Sequence, residues 1–167
     1  MILDGQLQAS VQAAAAALQR GELLGLPTET VYGLAADSDN EAAVAQIFTA
    51  KGRPANHPLI VHVADSDAIT RYAKEVPVFA QQLIDAFWPG PLTLILPRLP
   101  DAAKASTGGQ DSVGLRCPAH PVAHALLKAC QQLNPPVWGI SAPSANKFGR
   151  VSPTTAQHVA AEFGDEL

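Results

Sequence analysis

Ser144, Asn146, Lys147 and Arg150 lie in the stretch S-A-P-S-A-N-K-F-G-R at 141–150, directly after the apolar run Val137-Trp138-Gly139-Ile140. A strand that ends in hydroxyls, an amide and two cations carries more polar groups than a connection needs. Far upstream, Lys51-Gly52-Arg53-Pro54 puts a point charge and a planar fork on a loop fixed by glycine and proline. That pairing suits a polyphosphate or a carboxylate. It is not a Walker A loop, since G-x-x-x-x-G-K-[ST] is absent. Two further clusters are P-T-E-T-V-Y-G-L at 27–34, with the hydroxyls of Thr28 and Thr30, and S-V-G-L-R at 112–116. Each has an ordinary explanation: hydroxyls beside proline make turns, and a strand often ends in an exposed arginine. His62, alternating with Ile60, reads alone as a core-edge histidine. Together, however, the clusters put polar, mostly cationic groups at the ends of four apolar runs. Ligands of open α/β sheets collect at such strand ends, so the residues point to an anion-binding cleft for a nucleotide.

The elements that must position these groups can be read from periodicity. Leu7, Val11, Ala14 and Leu18 recur at helical spacing, and Gly21 closes that helix. Strands are expected over 23–26, 31–35, 59–63, 92–96, 113–116 and 138–141. Ser38 and Glu41 have the spacing of a capping box, opening a helix that ends near Lys51-Gly52. A helix carries Ile69 and Tyr72, a second starts near Pro77, and a third opens at Pro121. Residues 97–110 are polar and rich in Gly, Pro and Ala, which predicts a mobile loop. Ser152-Pro153 reads as the cap and first residue of a last helix, whose N-terminus favours anions. Some strands follow one another without a helix between. The expected fold class is therefore α/β, a twisted mixed β-sheet flanked by helices in a single domain.

Composition narrows the function. The chain has 167 residues, 47 % of them hydrophobic and 16 % charged, enough for a real core in one domain. Its net charge is -4, so no global basic field points to nucleic acid as the main ligand. Arg20 is the only cation among the first fifty residues, against six acids, while Lys51, Arg53, Arg116, Lys147 and Arg150 fall in or beside polar loops. Cys117 and Cys130 have neither disulfide nor zinc spacing and read as buried small side chains. The sequence carries no signal-peptide pattern and no membrane span, and a cytoplasmic location is expected.

The motif set as a whole is more specific. K-x-R at Lys51 and Arg53, S-x-N at Ser144 and Asn146, P-T-E-T-V-Y-G-L at 27–34 and P-G-P-L-T at 89–93 resemble the YrdC/Sua5 family over nearly the whole chain. The resemblance implies a YrdC-like fold and an L-threonylcarbamoyladenylate synthase. Such a nucleotidyltransferase makes threonylcarbamoyl-AMP and pyrophosphate from L-threonine, bicarbonate and ATP, for modification of adenosine 37 in transfer RNA. It implies Lys51, Arg53, Ser144 and Asn146 as the catalytic signature. Arg53, His57, Ser112, Ser144 and Ser152 fall on ATP-binding positions, and Thr30, His62, Arg116 and Ala142 on threonine-binding positions. Mg²⁺ would arrive with the nucleotide rather than on a protein metal site, and Lys51 and Arg53 would hold the phosphates. Transfer RNA and threonylcarbamoyl-transfer proteins are the implied downstream partners, and no membrane is. The family usually continues into further strands with a Ser/Thr pair closing the threonine pocket. The sequence ends at Gly164-Asp165-Glu166-Leu167, so the domain spanning 1–167 is expected to lack those strands. The alternative is a non-catalytic nucleotide- or RNA-binding module using the same basic cleft.

Overall fold

The computed structural model describes residues 1–164 and Leu167. Asp165 and Glu166, part of the chain end weighed above, lie outside the described residues. Among the described residues six strands form one sheet: β1 (Leu24–Leu26), β2 (Gly33–Asp37), β3 (Ile60–His62), β4 (Thr93–Pro97), β5 (Ser112–Arg116) and β6 (Ile140–Ser141). Their order across the sheet is β1-β2-β6-β3-β5-β4. Only β3 and β5 run parallel, with His62 opposite Arg116, while the other neighbours are antiparallel. This is the mixed sheet that the sequence predicts.

Helices pack on both faces because side chains alternate across each strand. On β2, Ala35 joins α1 (Gln8–Gln19) and α4 (Pro121–Gln131) in one apolar cluster that includes Leu18, Leu126 and Ile140. Its neighbours Leu34 and Ala36 meet α2 (Glu41–Lys51) and α5 (Ala156–Phe163) through Val44, Ile47, Val159 and Phe163. A third cluster puts α3 (Val78–Phe87) under β3, β4 and β5, with Val61, Leu94, Leu96, Val113 and Leu115. Leu18, Ile47 and Leu127 are fully buried, each worth about 1.5–3 kcal/mol of transfer free energy.

The opposite face of β3, β5 and β4 has no such cover. Ile95 is 75 % exposed and Ile60 38 %, although their strand neighbours are buried. The pleat puts Thr93, Ile95, Ser112, Gly114, Arg116, Ile60 and His62 on that face. Ser112 and Arg116, four residues apart on β5, therefore mark two ends of an open surface about 13 Å long.

Several local expectations need correction. The capping box is not formed. Asn40 caps α2 by accepting from the Ala43 amide, while Ser38 is buried and donates to the Gly139 carbonyl at 2.8 Å. An amide oxygen one residue before the helix outcompetes a hydroxyl held elsewhere. The segment with Ile69 is a 3₁₀ helix, Ser66–Arg71, capped by Asp65. Helix α5 begins at Ala156 with Thr155 as its cap, so neither Ser152 nor Pro153 starts it. Pro153 lends its carbonyl to the Tyr32 amide at 2.9 Å instead. Residues 97–110, expected to be mobile, are packed down. Arg98 donates to the carbonyls of Leu99, Pro100, Ala102 and Gln110, and Ser106 is buried with its hydroxyl 2.6 Å from that of Ser141. The last strand is shorter than expected, only Ile140–Ser141.

Candidate active site

A cleft of about 240 Å³ opens at the uncovered face. Thr30, Arg53, His62, Arg116, Ala142 and Ser144 line it, together with Thr28, Tyr32 and Gly33. These residues come from five separate segments of the chain.

At one end stand Thr30, His62 and Arg116. Thr28 shapes its own loop, donating to the Val31 carbonyl at 2.7 Å and accepting from the Thr30 amide at 3.2 Å. That turn exposes Thr30, whose hydroxyl accepts from the Arg116 guanidinium at 3.4 Å. The P-G-P-L-T motif acts on the same arginine, because the Gly90 carbonyl accepts from Arg116 Nε at 3.3 Å. Only glycine fits at position 90, where a Cβ would lie 2.5 Å from the Phe87 carbonyl oxygen. His62 is buried, and burial lowers its pKa to about 4 against the pull of the Ile140 and Ile60 carbonyls. Its ring is therefore neutral near pH 7. Nδ1 lies 3.3 Å from the Ile140 carbonyl, which can only accept, so Nδ1 carries the proton and Nε2 keeps its lone pair.

At the other end, Gly52 caps α2 in the left-handed conformation, φ 63°, and turns the chain so that Lys51 and Arg53 diverge. Arg53 reaches the cleft, donates to the Pro58 carbonyl at 3.1 Å, and has a buried Nε that finds no hydrogen-bond partner among the described residues. Lys51 does not line the cleft. It is 3 % exposed, and its ammonium donates to the backbone carbonyls of Ser144 and Asn146. Burial first, then the Arg53 charge, lower its pKa to about 8, with Glu162 pulling it back. The expected phosphate-holding lysine is thus bonded to the loop that presents Ser144. Asn146 is buried, and its amide donates to the carbonyls of Lys147 and Arg150 at 2.9 and 2.8 Å. Its side-chain oxygen has no hydrogen-bond partner among the described residues.

The remaining candidates, His57, Ser112 and Ser152, do not line this cleft. His57 stands 5.9 Å from the Phe148 ring, centroid to centroid. Ser112 is at the start of β5, and Ser152 lies in the irregular segment before α5. A second opening of about 550 Å³ shares Arg53 and is lined by Phe48, Thr49, Lys104, Gly108 and Gly109. The two cysteines are free and buried, and burial pushes their thiols up to about 11 for Cys117 and about 12 for Cys130. They are inert at neutral pH.

Glu29 is the functional candidate that the sequence reading passed over. One of its oxygens forms an ion pair with Arg116 and the other accepts from the amides of Ala119 and His120, at 2.7 and 3.0 Å. It sits inside the quoted P-T-E-T motif, but nothing in its spacing to Arg116, 87 positions later, signals the contact.

Comparison with known proteins places this geometry in a family. The family model for the Sua5, YciO and YrdC proteins, described as telomere recombination, matches residues 16–167. The chain belongs to the Sua5/YciO/YrdC family. It is 46 % identical over 153 residues to the threonylcarbamoyl-AMP synthase of Pyrococcus abyssi, covering 92 % of this chain and 43 % of that one. It is 47 % identical over 155 residues to the synthase of Bacillus subtilis, with the same coverage. A crystal structure of P. abyssi Sua5 complexed with L-threonine superposes with a TM-score of 0.90 at 44 % identity, over 96 % of this chain and 46 % of that one. The chain thus spans less than half the length of these relatives. Within the family, the K-x-R and S-x-N pairs are here one connected unit, because Lys51 ties the second pair to the first.

Proposed function

We propose that this chain carries the chemistry of its threonylcarbamoyl-AMP synthase relatives. It would form threonylcarbamoyl-AMP and pyrophosphate from L-threonine, bicarbonate and ATP. The observation that carries the reading is one cleft with a hydroxyl- and carboxylate-recognising end at Thr30, His62 and Arg116, and an anion-recognising end at Arg53 and Ser144.

Arg116 takes the threonine carboxylate, and the Nε2 lone pair of His62 accepts from the threonine hydroxyl. The threonine amine, as its free base, attacks carbon dioxide derived from bicarbonate. A C–N bond forms and the amine releases a proton, leaving a carbamate. A carbamate oxygen then attacks the α-phosphorus of ATP, and the bond to the β-phosphate oxygen breaks to release pyrophosphate. The chain's part is positioning and charge neutralisation, with no covalent nucleophile. Arg53 meets the phosphates with its unpartnered Nε–H. Ser144 offers its hydroxyl from a loop that Lys51 fixes. His57, Ser112 and Ser152 complete the nucleotide side, and the Ala142 backbone completes the threonine side. Mg²⁺ would neutralise the phosphates that bring it. Among the described residues no group of three or more His, Cys, Asp or Glu is placed to hold a metal ion, and the charged donors at the anion end are cationic. That donor set suits phosphate oxygens.

The product is an activated carbamoyl donor for adenosine 37 of transfer RNA, so transfer RNA and a transfer protein act downstream. Among the described residues no helix is long and apolar enough to cross a membrane. The test is pyrophosphate release from ATP with threonine and bicarbonate supplied together and each omitted. Release requiring both supports the reading. Undiminished threonine-dependent release in carbon-dioxide-depleted buffer would overturn the carbamate step, because an ordinary amino-acid adenylation uses the carboxylate and ignores bicarbonate.

A further inference from the structure

Arg116 has five N–H donors in one plane, and two of them donate hydrogen bonds inside the protein. Nε donates to the Gly90 carbonyl, one terminal nitrogen to the Thr30 hydroxyl, and the other pairs with Glu29. Among the described residues, both terminal nitrogens keep N–H groups that make no hydrogen bond. Two such parallel donors form the fork that meets a carboxylate in bidentate fashion. The Arg116 side chain is only 9 % exposed, so its plane is set by these neighbours rather than by solvent. Two of them are weak guides, a backbone carbonyl at 3.3 Å and a hydroxyl at 3.4 Å. Among the described residues Glu29 is its only charged partner. It is itself anchored at the chain entering α4, where its second oxygen takes the amides of Ala119 and His120.

We infer that Glu29 is a positioning residue for amino-acid recognition: by fixing the guanidinium plane of Arg116 against the start of α4, it turns the two free N–H groups toward the substrate carboxylate. The inference rests on the proposed role of Arg116 and adds the residue that orients it. Glu29 carries a like charge to the substrate carboxylate, so a competing role would have the opposite sign, and the experiment separates the two.

Glu29→Gln is the informative variant. Its single side-chain oxygen can still accept from Ala119 and His120, which preserves the contact to α4, but the carboxylate facing Arg116 is gone. Calorimetric binding of L-threonine and of L-threonine amide, which lacks the carboxylate, is compared in wild type and variant. The expected result is threonine binding weakened about ten- to a hundred-fold, unchanged ATP binding, a preserved melting temperature, and a collapse of the preference for threonine over its amide. Glu29→Ala should show the same binding loss together with a lower melting temperature. Threonine binding in Glu29→Gln that is unchanged or tighter would overturn the inference, tighter binding marking Glu29 as a competitor. Equal losses for threonine and its amide would also overturn it, marking a general structural role. A wild-type chain that binds no threonine would sink the reading of the site itself, a result distinct from all of these.

Discussion

The Lys51 ammonium holds the backbone carbonyl of Asn146, 95 positions later, while also holding that of Ser144. The lysine at the end of α2 is therefore the clasp of the loop that carries Ser144 into the cleft. Its neighbour Arg53 points the other way, into the cleft. The two halves of the K-x-R pair do different work.

Lys51→Met should lower stability and activity together. The variant keeps the stem but leaves two inward-facing carbonyls without their charged donor, a loss of about 1.5–3 kcal/mol for each bond removed at the upper end. Urea denaturation should show a reduced midpoint, and pyrophosphate release should fall in parallel. A normal midpoint with lost turnover would mean that Lys51 meets the phosphates directly.

Arg53→Ala should do the reverse. Among the described residues its guanidinium has one acceptor, the Pro58 carbonyl, and an unused Nε. Loss of a charged hydrogen bond to ATP costs about 1.5–3 kcal/mol, one to two decades in binding. Folding should change by only about 0.5 kcal/mol. A large fall in melting temperature with normal ATP affinity would make Arg53 structural.

His62 should make the protein acid-sensitive. Its pKa is about 4 in the folded chain, against about 6.5 when unfolded. Between those values the unfolded chain binds a proton that the native chain refuses. Stability is therefore full above about pH 6.5, falls as pH drops through the window, and levels off below about 4 as far as this group is concerned. The span corresponds to about 3 kcal/mol. Unfolding free energies measured from pH 7 to 4 should fall less steeply in His62→Asn than in wild type. Parallel curves would show that His62 charges without penalty.

Amino-acid selectivity should follow the order threonine, serine, valine. Serine lacks one methyl, worth about 1–3 kcal/mol, whereas valine leaves His62 Nε2 without its donor in a buried position. Steady-state pyrophosphate release with each amino acid gives the ranking. Valine turning over better than serine would remove His62 from hydroxyl recognition.

Much of this was legible in the sequence, for reasons particular to each element. Gly52 after Lys51 marked the end of α2, and the apolar runs ending in Arg116 and Ser141 marked two of the strands. Fold-level alternation sufficed for a mixed sheet. What was not legible depends on distant partners. Lys51 and Arg53 look equivalent two residues apart, and only the Ser144 and Asn146 carbonyls separate them. Glu29 looks like a turn acid until Arg116 arrives beside it. Residues 97–110 read as a loose loop because their anchors are backbone carbonyls for Arg98 and a hydroxyl on β6, none of which leaves a pattern. Thr155 displaced Ser152 as the cap of α5 because both are good caps and local spacing did not choose between them.

The strand order has a consequence for synthesis of the chain. Strand β5 lies between β3 and β4, and β6 lies between β2 and β3, so both late strands insert between strands made earlier. As the polypeptide emerges from the ribosome, β1 and β2 can pair at once. Strand β3 has no partner until β5 follows about fifty residues later, and its other edge waits for β6. Closing such long loops is entropically slow. Throughout that interval the edges of β3 are open to other chains. The cleft, which needs Ser144 beside Gly33 and Arg116 beside His62, cannot exist until β6 has emerged. Nascent chains halted before position 141 should therefore be the forms most dependent on chaperones.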